Sequence, residues 1–414
     1  MNIQYSLRTG AIGRKVLLVS LLLVASIKVL HAQEGTQGNL SIFANAQMTF
    51  FGNHDFVTGG SGTQPGMILT ERATKSISYL NFSGNNLTST GASDAYYVDG
   101  YVRKYGTGQF VFPVGDNGNY GPFAASADGT SGAYFRANPA TAITSNLFTG
   151  TNYPALPAGA PFPIGLLNRG LGIKTVTNVE YWDIDGSNAT PITLTWDAAS
   201  NVNTLTGGQL AVLTIVGWDG TKWVRIASAP DANSILGGGT STTTNGSITT
   251  TTSIVPNNYK AYTLAALGAD VSPRISVVPT IINGTKRAEV VLAVVEVSTQ
   301  LATNGSVTVR VAKNQLLSNF GWTQTQTIAS ANGNISVQNS IWTASDTDPN
   351  YYIFTTTTPI PKGSQRRLAF YVTITPGESE GKFSLPTSIP AGQGGGEVNV
   401  LNNQDAELIK FFAN

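Results

Sequence analysis

The chain has 414 residues, no cysteine and 11% charged residues, with 24 Lys and Arg against 23 Asp and Glu. The lack of cysteine excludes disulfides, thiol catalysis and cysteine-held metal or haem, and a chain of this length can bury its cores without such staples. Four of the 24 basic residues lie in the first 32, which leaves 20 against 23 acidic residues, a net charge near −3 that offers no footprint to nucleic acid or an anionic membrane.

Arg14 and Lys15 precede an apolar run from Val16 to Ile27, and Ala32 stands just before Gln33. A positive flank, a short apolar stretch and a small residue at the cut predict a secretory signal peptide over 1–32, removed after Ala32. The run is shorter than the roughly 20 residues a spanning helix needs, so no transmembrane anchor is expected after cleavage. The protein is therefore expected to be exported, to the cell surface, the extracellular space or the periplasm.

Beyond the leader, short alternating apolar runs bounded by Gly, Asn, Asp and Pro predict an all-β chain of consecutive β-sandwich-like domains. An N-terminal β region is expected over 33–95, in which 39–56 reads as two strands joined by a polar turn. A sandwich-like domain follows over 96–268. There 96–115 reads as a hairpin, its turn at Gly106-Thr107-Gly108, where glycine adopts positive φ without steric cost. Further strands are predicted at Glu180–Ile184, Pro191–Trp196, Leu210–Gly217, Lys222–Ile226, Ser247–Ile254 and Lys260–Leu267. Residues 152–164 carry four prolines and read as an extended surface connector, because proline cannot feed a sheet ladder. Within the Gly- and Thr-rich 236–253, the second half reads as an edge strand. Trp182, Trp196, Trp218 and Trp223 read as core, the last two paired across the tight turn Asp219-Gly220. A new unit begins near Gly268-Ala269-Asp270. Over 269–414, strands at Arg274–Val278, Ala288–Val297, Gly305–Val311, Tyr351–Thr357, Arg367–Thr375 and Ala406–Phe412 predict an immunoglobulin-like sandwich.

Chemistry-bearing patterns are sparse. His54 is the one histidine after the leader, and it reads as a solvated turn residue. A Ser-His-Asp hydrolase would have to use it, and there is no G-x-S-x-G, H-E-x-x-H or P-loop motif. Glu180, Asp183, Asp185 and Asp197 beside Trp182 and Trp196 could form a glycosidase carboxylate pair, though tryptophan at strand ends is also ordinary packing. Calcium is the metal to consider. Asp183, Asp185 and Asn188 place oxygen ligands at near-alternate positions around Gly186, while Asp116–Asn119 and Asp346–Asn350 are looser versions. None adds the distal glutamate of a complete loop, and Asp, Asn and Gly are ordinary turn chemistry. The chain thus reads as a non-enzyme without cofactor, calcium aside.

The run Tyr97-Val98-Asp99-Gly100-Tyr101-Val102-Arg103-Lys104, followed by Phe110 to Asp116, resembles a recurrent segment of exported surface proteins of the Bacteroidetes. So do Glu180-Tyr181-Trp182-Asp183-Ile184, Leu194-Thr195-Trp196-Asp197 and Gly217-Trp218-Asp219-Gly220-Thr221-Lys222-Trp223-Val224. The C-terminal unit, with Gly394–Glu397 and Asn402–Asp405 before its last strand, is similar to immunoglobulin-like domains of the same proteins. The resemblance covers most of 39–414. It implies a structural, adhesive or matrix role at the cell surface and no catalytic residue. Many such proteins end in a sorting domain, whereas Glu407 to Asn414 reads here as a last sandwich strand.

The expected function is a structural or adhesive module that self-assembles through strand edges, with other copies of itself or other surface proteins as partners. The alternative is a carbohydrate-binding module with polysaccharide as partner, and the remote one a polysaccharide hydrolase. An exposed aromatic strip on a sheet face would favour sugar; open sheet edges would favour assembly.

Overall fold

The computed structural model describes residues 34–36, 38–56, 66–73, 76–145, 150–298, 301–397 and 399–412. The predicted leader, 1–32, lies outside them.

The chain begins as a coil wound three times. The first turn holds β1 (Glu34–Thr36), β2 (Leu40–Ile42) and β3 (Gln47–Phe50). The second holds β4 (His54–Phe56), β5 (Ile68–Thr70), the small hairpin β6 (Arg72–Ala73) and β7 (Ser76–Ile77), then β8 (Tyr79–Ser83). The third holds β9 (Ser89–Thr90), β10 (Val98–Asp99) and β11 (Tyr101–Tyr105). Corresponding strands pair in parallel, as β1-β4-β9, β2-β5-β10 and β3-β8-β11, which makes a short parallel β-solenoid. Stacking aligns like side chains in columns: Leu40, Ile68 and Val98 in one, Met48, Leu80 and Val102 in another, Phe50 above Phe82 in a third. At the corner between β10 and β11, Gly100 has φ +132 and a Cβ there would lie 2.0 Å from Thr70 Oγ1, so glycine is required.

Two sequence expectations fail here for one reason. Residues 39–56 hold three strands rather than two, each in a different sheet and none paired with its chain neighbour. Likewise β11 and β12 (Phe110–Phe112) lie in different sheets, so 96–115 is not a hairpin, although Gly106 and Gly108 do take positive φ. Alternation reports a strand and its faces but not its partner.

The chain then adds β13 (Val114–Asp116), which extends the β10 row in parallel, β14 (Asn119–Tyr120), β15 (Phe123–Ala125), β16 (Ser131–Phe135), β17 (Ile173–Val176), β18 (Tyr181–Asp185) and β19 (Thr193–Trp196). After a one-turn helix, Val202–Thr206, come β20 (Leu213–Trp218), β21 (Trp223–Ile226), β22 (Ser228–Pro230), β23 (Gly246–Thr250) and β24 (Tyr262–Leu267). One sheet runs β21-β20-β24-β18-β16-β11-β8-β3, with β17 also on β24; the other runs β12-β15-β19-β23-β22. The larger sheet therefore fuses the solenoid to the sandwich, and its ladder crosses the expected 95/96 division. Phe82, Phe110, Phe112, Phe123, Trp182, Leu194 and Ile248 fill the space between the layers. All four predicted core tryptophans are buried, and Trp218 pairs with Trp223 at 5.5 Å between ring centroids. β23 lies between β19 and β22 rather than at the edge.

The remainder forms a second two-sheet sandwich from β25 (Val271–Val278), β26 (Ile281–Asn283), β27 (Lys286–Glu296), β28 (Val307–Ala312), β29 (Leu317–Gly321), the two-residue pair β30 (Ile328–Ala329) and β31 (Ile335–Ser336), β32 (Thr343–Ser345), β33 (Tyr351–Thr356), β34 (Gln365–Ile374), β35 (Gly381–Ser388) and β36 (Gln404–Phe412). Sheet β25-β27-β34-β29 faces sheet β26-β36-β35-β28-β33-β32 across a core that includes Val290, Leu292, Val309, Phe354, Phe370 and Ile409. The predicted last strand is therefore no open edge: β36 pairs along its length with β35 and, over Lys410–Phe412, with β26. The two sandwiches meet through Val212, Ala266, Leu267 and Leu301, and Lys174 Nζ donates to Gly395 O at 2.6 Å.

Candidate functional site

The outer face of the nine-stranded sheet is covered at one end. There Phe162 packs against Tyr181, Trp218 and Trp223, and Trp223 Nε1 donates to Pro163 O at 3.1 Å. The proline-rich stretch 152–164 is thus a lid over the sheet rather than a surface connector, because Tyr153 and Phe162 among the prolines are buried. Beyond this lid, over β3, β8, β11 and the end of β18, the face is polar and partly open: Gln47, Tyr105 and Asp185 are exposed and Thr49, Tyr79, Ser83 and Arg103 half-buried, while β16 is buried.

Side chains two apart on a strand share a face, and the ladder aligns them in rows. One row runs Gln47, Tyr79, Tyr101; the next runs Thr49, Asn81, Arg103, Ser131, Asp185; the third pairs Ser83 with Tyr105. The Arg103 guanidinium lies 3.8 Å from the centre of the Tyr79 ring and its Nη1 donates to Tyr105 Oη at 3.3 Å. A cation on an aromatic face is worth about 0.5–2 kcal/mol, enough to hold the planar group flat between two tyrosines. Asn81 Nδ2 donates to Gln47 Oε1 at 3.0 Å and Thr49 Oγ1 at 3.3 Å, while its buried Oδ1 has no donor among the described residues. Gln47, Tyr105, Asp185 and the nearby Lys260 are exposed. Tyr101 O–H donates to Asp183 Oδ2 at 2.5 Å. Burial raises the Asp183 pKa, and the Asp185 charge adds to the shift. Burial and then the Asp183 carboxylate hold the Tyr101 hydroxyl well above its usual range. The face thus offers fixed aromatic surface beside neutral amide and hydroxyl groups, with the Arg103 guanidinium and the Asp183 and Asp185 carboxyls among them.

Of the residues singled out in the sequence, Asp183 and Asp185 alternate on β18 and belong to this face. Asn188 lies past the strand end, its Nδ2 donating to Asp128 O at 3.1 Å. Among the described residues no three His, Asp or Glu side chains are grouped to hold a metal ion. Asp116 is fully buried, accepting from Arg136 N and Thr144 Oγ1, and Asp348 Oδ1 accepts from Asn350 N and Tyr351 N, a turn. Glu180 binds Tyr134 Oη and Arg136 Nη1, and Asp197 caps a short helical turn at Ala199 and Ser200. His54 is not a solvated turn residue. It is 1% exposed on β4, its ring stacked 4.4 Å from Phe50. Sequence reasoning passed over Tyr79, Asn81 and Tyr105. Their signal was the matched period-2 pattern of Tyr79-x-Asn81-x-Ser83 and Tyr101-x-Arg103-x-Tyr105, whose rows only the parallel pairing brings together.

No family profile and no curated protein matches the chain. Among solved structures it is similar to the N-terminal domain of the Streptococcus gordonii adhesin Sgo0707, at 10% identity over 74% of this chain and 79% of that one, with a TM-score of 0.26. It is similar to the C-terminal domain of the Streptococcus pyogenes antigen I/II-family protein AspA, at 9% identity over 55% of this chain and 95% of that one, TM-score 0.23. It is also similar to a CARDB domain from Pyrococcus furiosus solved with di-metal ions, at 16% identity over 35% of this chain and 89% of that one, TM-score 0.22. At such scores the likeness carries no argument about what this chain binds.

Proposed function

We propose that the protein is an exported adhesive or structural module of the cell surface, and that it meets a hydroxyl-rich ligand, a neutral polysaccharide, through the face around Tyr79, Arg103 and Tyr105. The observation that carries this reading is the partly open half of the outer sheet face, where ring surface and neutral hydrogen-bonding groups lie side by side while the other half is sealed by its lid. Aromatic rings fit the apolar faces of sugar rings, and amides and hydroxyls supply both donors and acceptors for their hydroxyls. The signal-like first 32 residues and the motif resemblance support export. The two separate buried clusters support dividing the chain near 268–269, with the second sandwich read as immunoglobulin-like.

Binding of the purified protein to an array of polysaccharides tests the reading. Arg103→Ala and Tyr79→Ala are expected to weaken retention at least about tenfold, roughly 1.4 kcal/mol, without shifting the melt by more than an ordinary surface change. Equal binding by the native chain and both variants would place the ligand elsewhere.

A further inference from the structure

Among the described residues, the solenoid has one covered end and one bare end. Its third turn is covered by β13 and β16, which extend the β10 and β11 rows. At the first turn, β1, β2 and β3 each pair, among the described residues, with the second turn alone. The interior columns show the consequence. Leu80 and Val102 are 0% exposed, yet Met48, which heads their column, is 38% exposed. Leu40 likewise is partly exposed at the head of a column in which Ile68, Val98 and Val114 are fully buried. The apolar interior is therefore cut open where the stack ends.

The edges are equally bare. Leu40 N donates to Met67 O at 2.8 Å and Ile42 O accepts from Glu71 N at 2.9 Å. Ser41 between them therefore turns its N–H and C=O to the open side. Exposed strand edges are normally guarded by lysine, proline or inward charge. From Glu34 to Asn53 the sequence has no Lys, Arg or Pro, and Glu34 is its one charged residue. Phe43, at the corner after β2, is 50% exposed.

We infer that this end is an interface between two copies of the chain, joined first turn to first turn. The three edges lie on three sides of the coil, so a single extended peptide could cover one of them, whereas a coil end of the same cross-section covers all three. A two-fold axis perpendicular to the solenoid lays β2 antiparallel on β2 of the partner subunit and β1 on the partner subunit's β3. Such a self-complementary contact closes as a dimer. It buries Met48 and Phe43 and completes the hydrogen bonds of Ser41. The interface takes the edge of β3, whose Gln47 and Thr49 border the ligand face, but none of Tyr79, Arg103 and Tyr105, so the two proposals are tested by different variants and either can fail without the other.

The chain lacking its leader tests this by sedimentation. A dimer is expected at micromolar concentration. Ser41→Pro, which removes an outward N–H without touching a bond to β5, and Met48→Lys should each raise the dissociation constant by at least about tenfold while the chain still melts cooperatively. Because the chain has no cysteine, Ser41→Cys places a single thiol beside its symmetry mate. A short bis-maleimide should join it into covalent dimers, while Ser187→Cys, exposed elsewhere, should give no covalent dimer; this holds whether or not the proline variant folds. A native chain that sediments as a monomer at high micromolar concentration overturns the inference. So does a dimer that both variants leave intact, or equal cross-linking at the two thiols. A chain that dimerises only when the leader is retained also overturns it.

Discussion

Arg72 Nη2 and Asp99 Oδ1 meet at 3.0 Å with 1% and 0% of their side chains exposed, tying the second turn of the solenoid to the third. The guanidinium is also held between rings, 4.4 Å from the centre of Phe135 and 4.0 Å from that of Tyr153, whose hydroxyl donates to Asp99. Burial alone would lower the Arg72 pKa, but Tyr153, Asp99 and Asp116 hold it above its usual value. The ion pair thus fastens the lid segment, through Tyr153, to the solenoid corner.

Breaking such a pair from one side leaves a buried charge alone. Arg72→Met or Asp99→Asn is expected to destabilise the protein by about 3–5 kcal/mol, because neither partner can regain water. The double change Arg72→Met with Asp99→Asn should cost clearly less than the two single costs together. Urea unfolding of the three variants measures this, and additive costs would show that the pair is not coupled.

His54 gives a second, pH-dependent prediction. It stacks on Phe50, meets Phe56 and Phe82 edge-on, and its Nε2 lies 3.0 Å from Thr36 Oγ1. Burial lowers its pKa from 6.5 to about 4, against a small opposing pull from Asp55. Between these values the unfolded chain binds a proton that the folded chain refuses, so stability falls as pH falls through this window. The slope is at most about 1.4 kcal/mol per pH unit. His54→Phe should remove that slope, whereas His54→Ala should cost about 2–4 kcal/mol at neutral pH by opening a cavity. Melting curves across the window for the native chain and His54→Phe check it; parallel curves would refute the assignment.

The same neighbourhood shows which parts of the fold were legible. β18, β21 and β24 are predicted within about two residues and β20 within about three, because each is a short apolar or alternating run bounded by Asp or Gly. β35 is not among the predicted strands; it carries Pro386, which lies opposite Ala406 of β36, while β28 pairs it over Thr387 and Ser388. The solenoid was invisible for a deeper reason. Met48 stacks on Leu80 and Leu80 on Val102, partners far apart in sequence, while chain neighbours such as β2 and β3 do not pair. His54 was misread by the same route: Gly52-Asn53-His54-Asp55 has turn composition, yet His54 begins a strand whose cover comes from Phe50 and Phe82. The polar face around Arg103 is half legible, since the alternation of Tyr101, Arg103 and Tyr105 shows in the sequence and the row of Asn81 and Thr49 beside it does not.

The junction between the sandwiches yields the last prediction, of opposite sign. Asp270 N donates to Glu296 Oε1 at 3.0 Å, and Val271 N donates to Glu397 Oε2, so two buried carboxylates clamp the segment that leaves β24 for β25. Asp270 itself accepts from Asn402 Nδ2 at 2.7 Å. Burial raises both glutamates from 4.5 to about 7. Their backbone hydrogen bonds oppose the shift, the Asp270 charge adds to it, and the Glu296 charge adds to that of Glu397. A carboxyl that is harder to ionise when folded binds more protons in the folded state between 4.5 and 7. Its contribution is therefore complete below that window and is lost as pH rises through it. Glu296→Gln and Glu397→Gln keep an oxygen for the backbone N–H groups and carry no charge. Each is expected to match the native chain near about pH 5 and to exceed it by about 1 kcal/mol near about pH 8. Melting the native chain and both variants at the two pH values decides the matter. Variants that are less stable than the native chain at the higher pH would mean that ionised Glu296 and Glu397 strengthen the clamp instead of straining it.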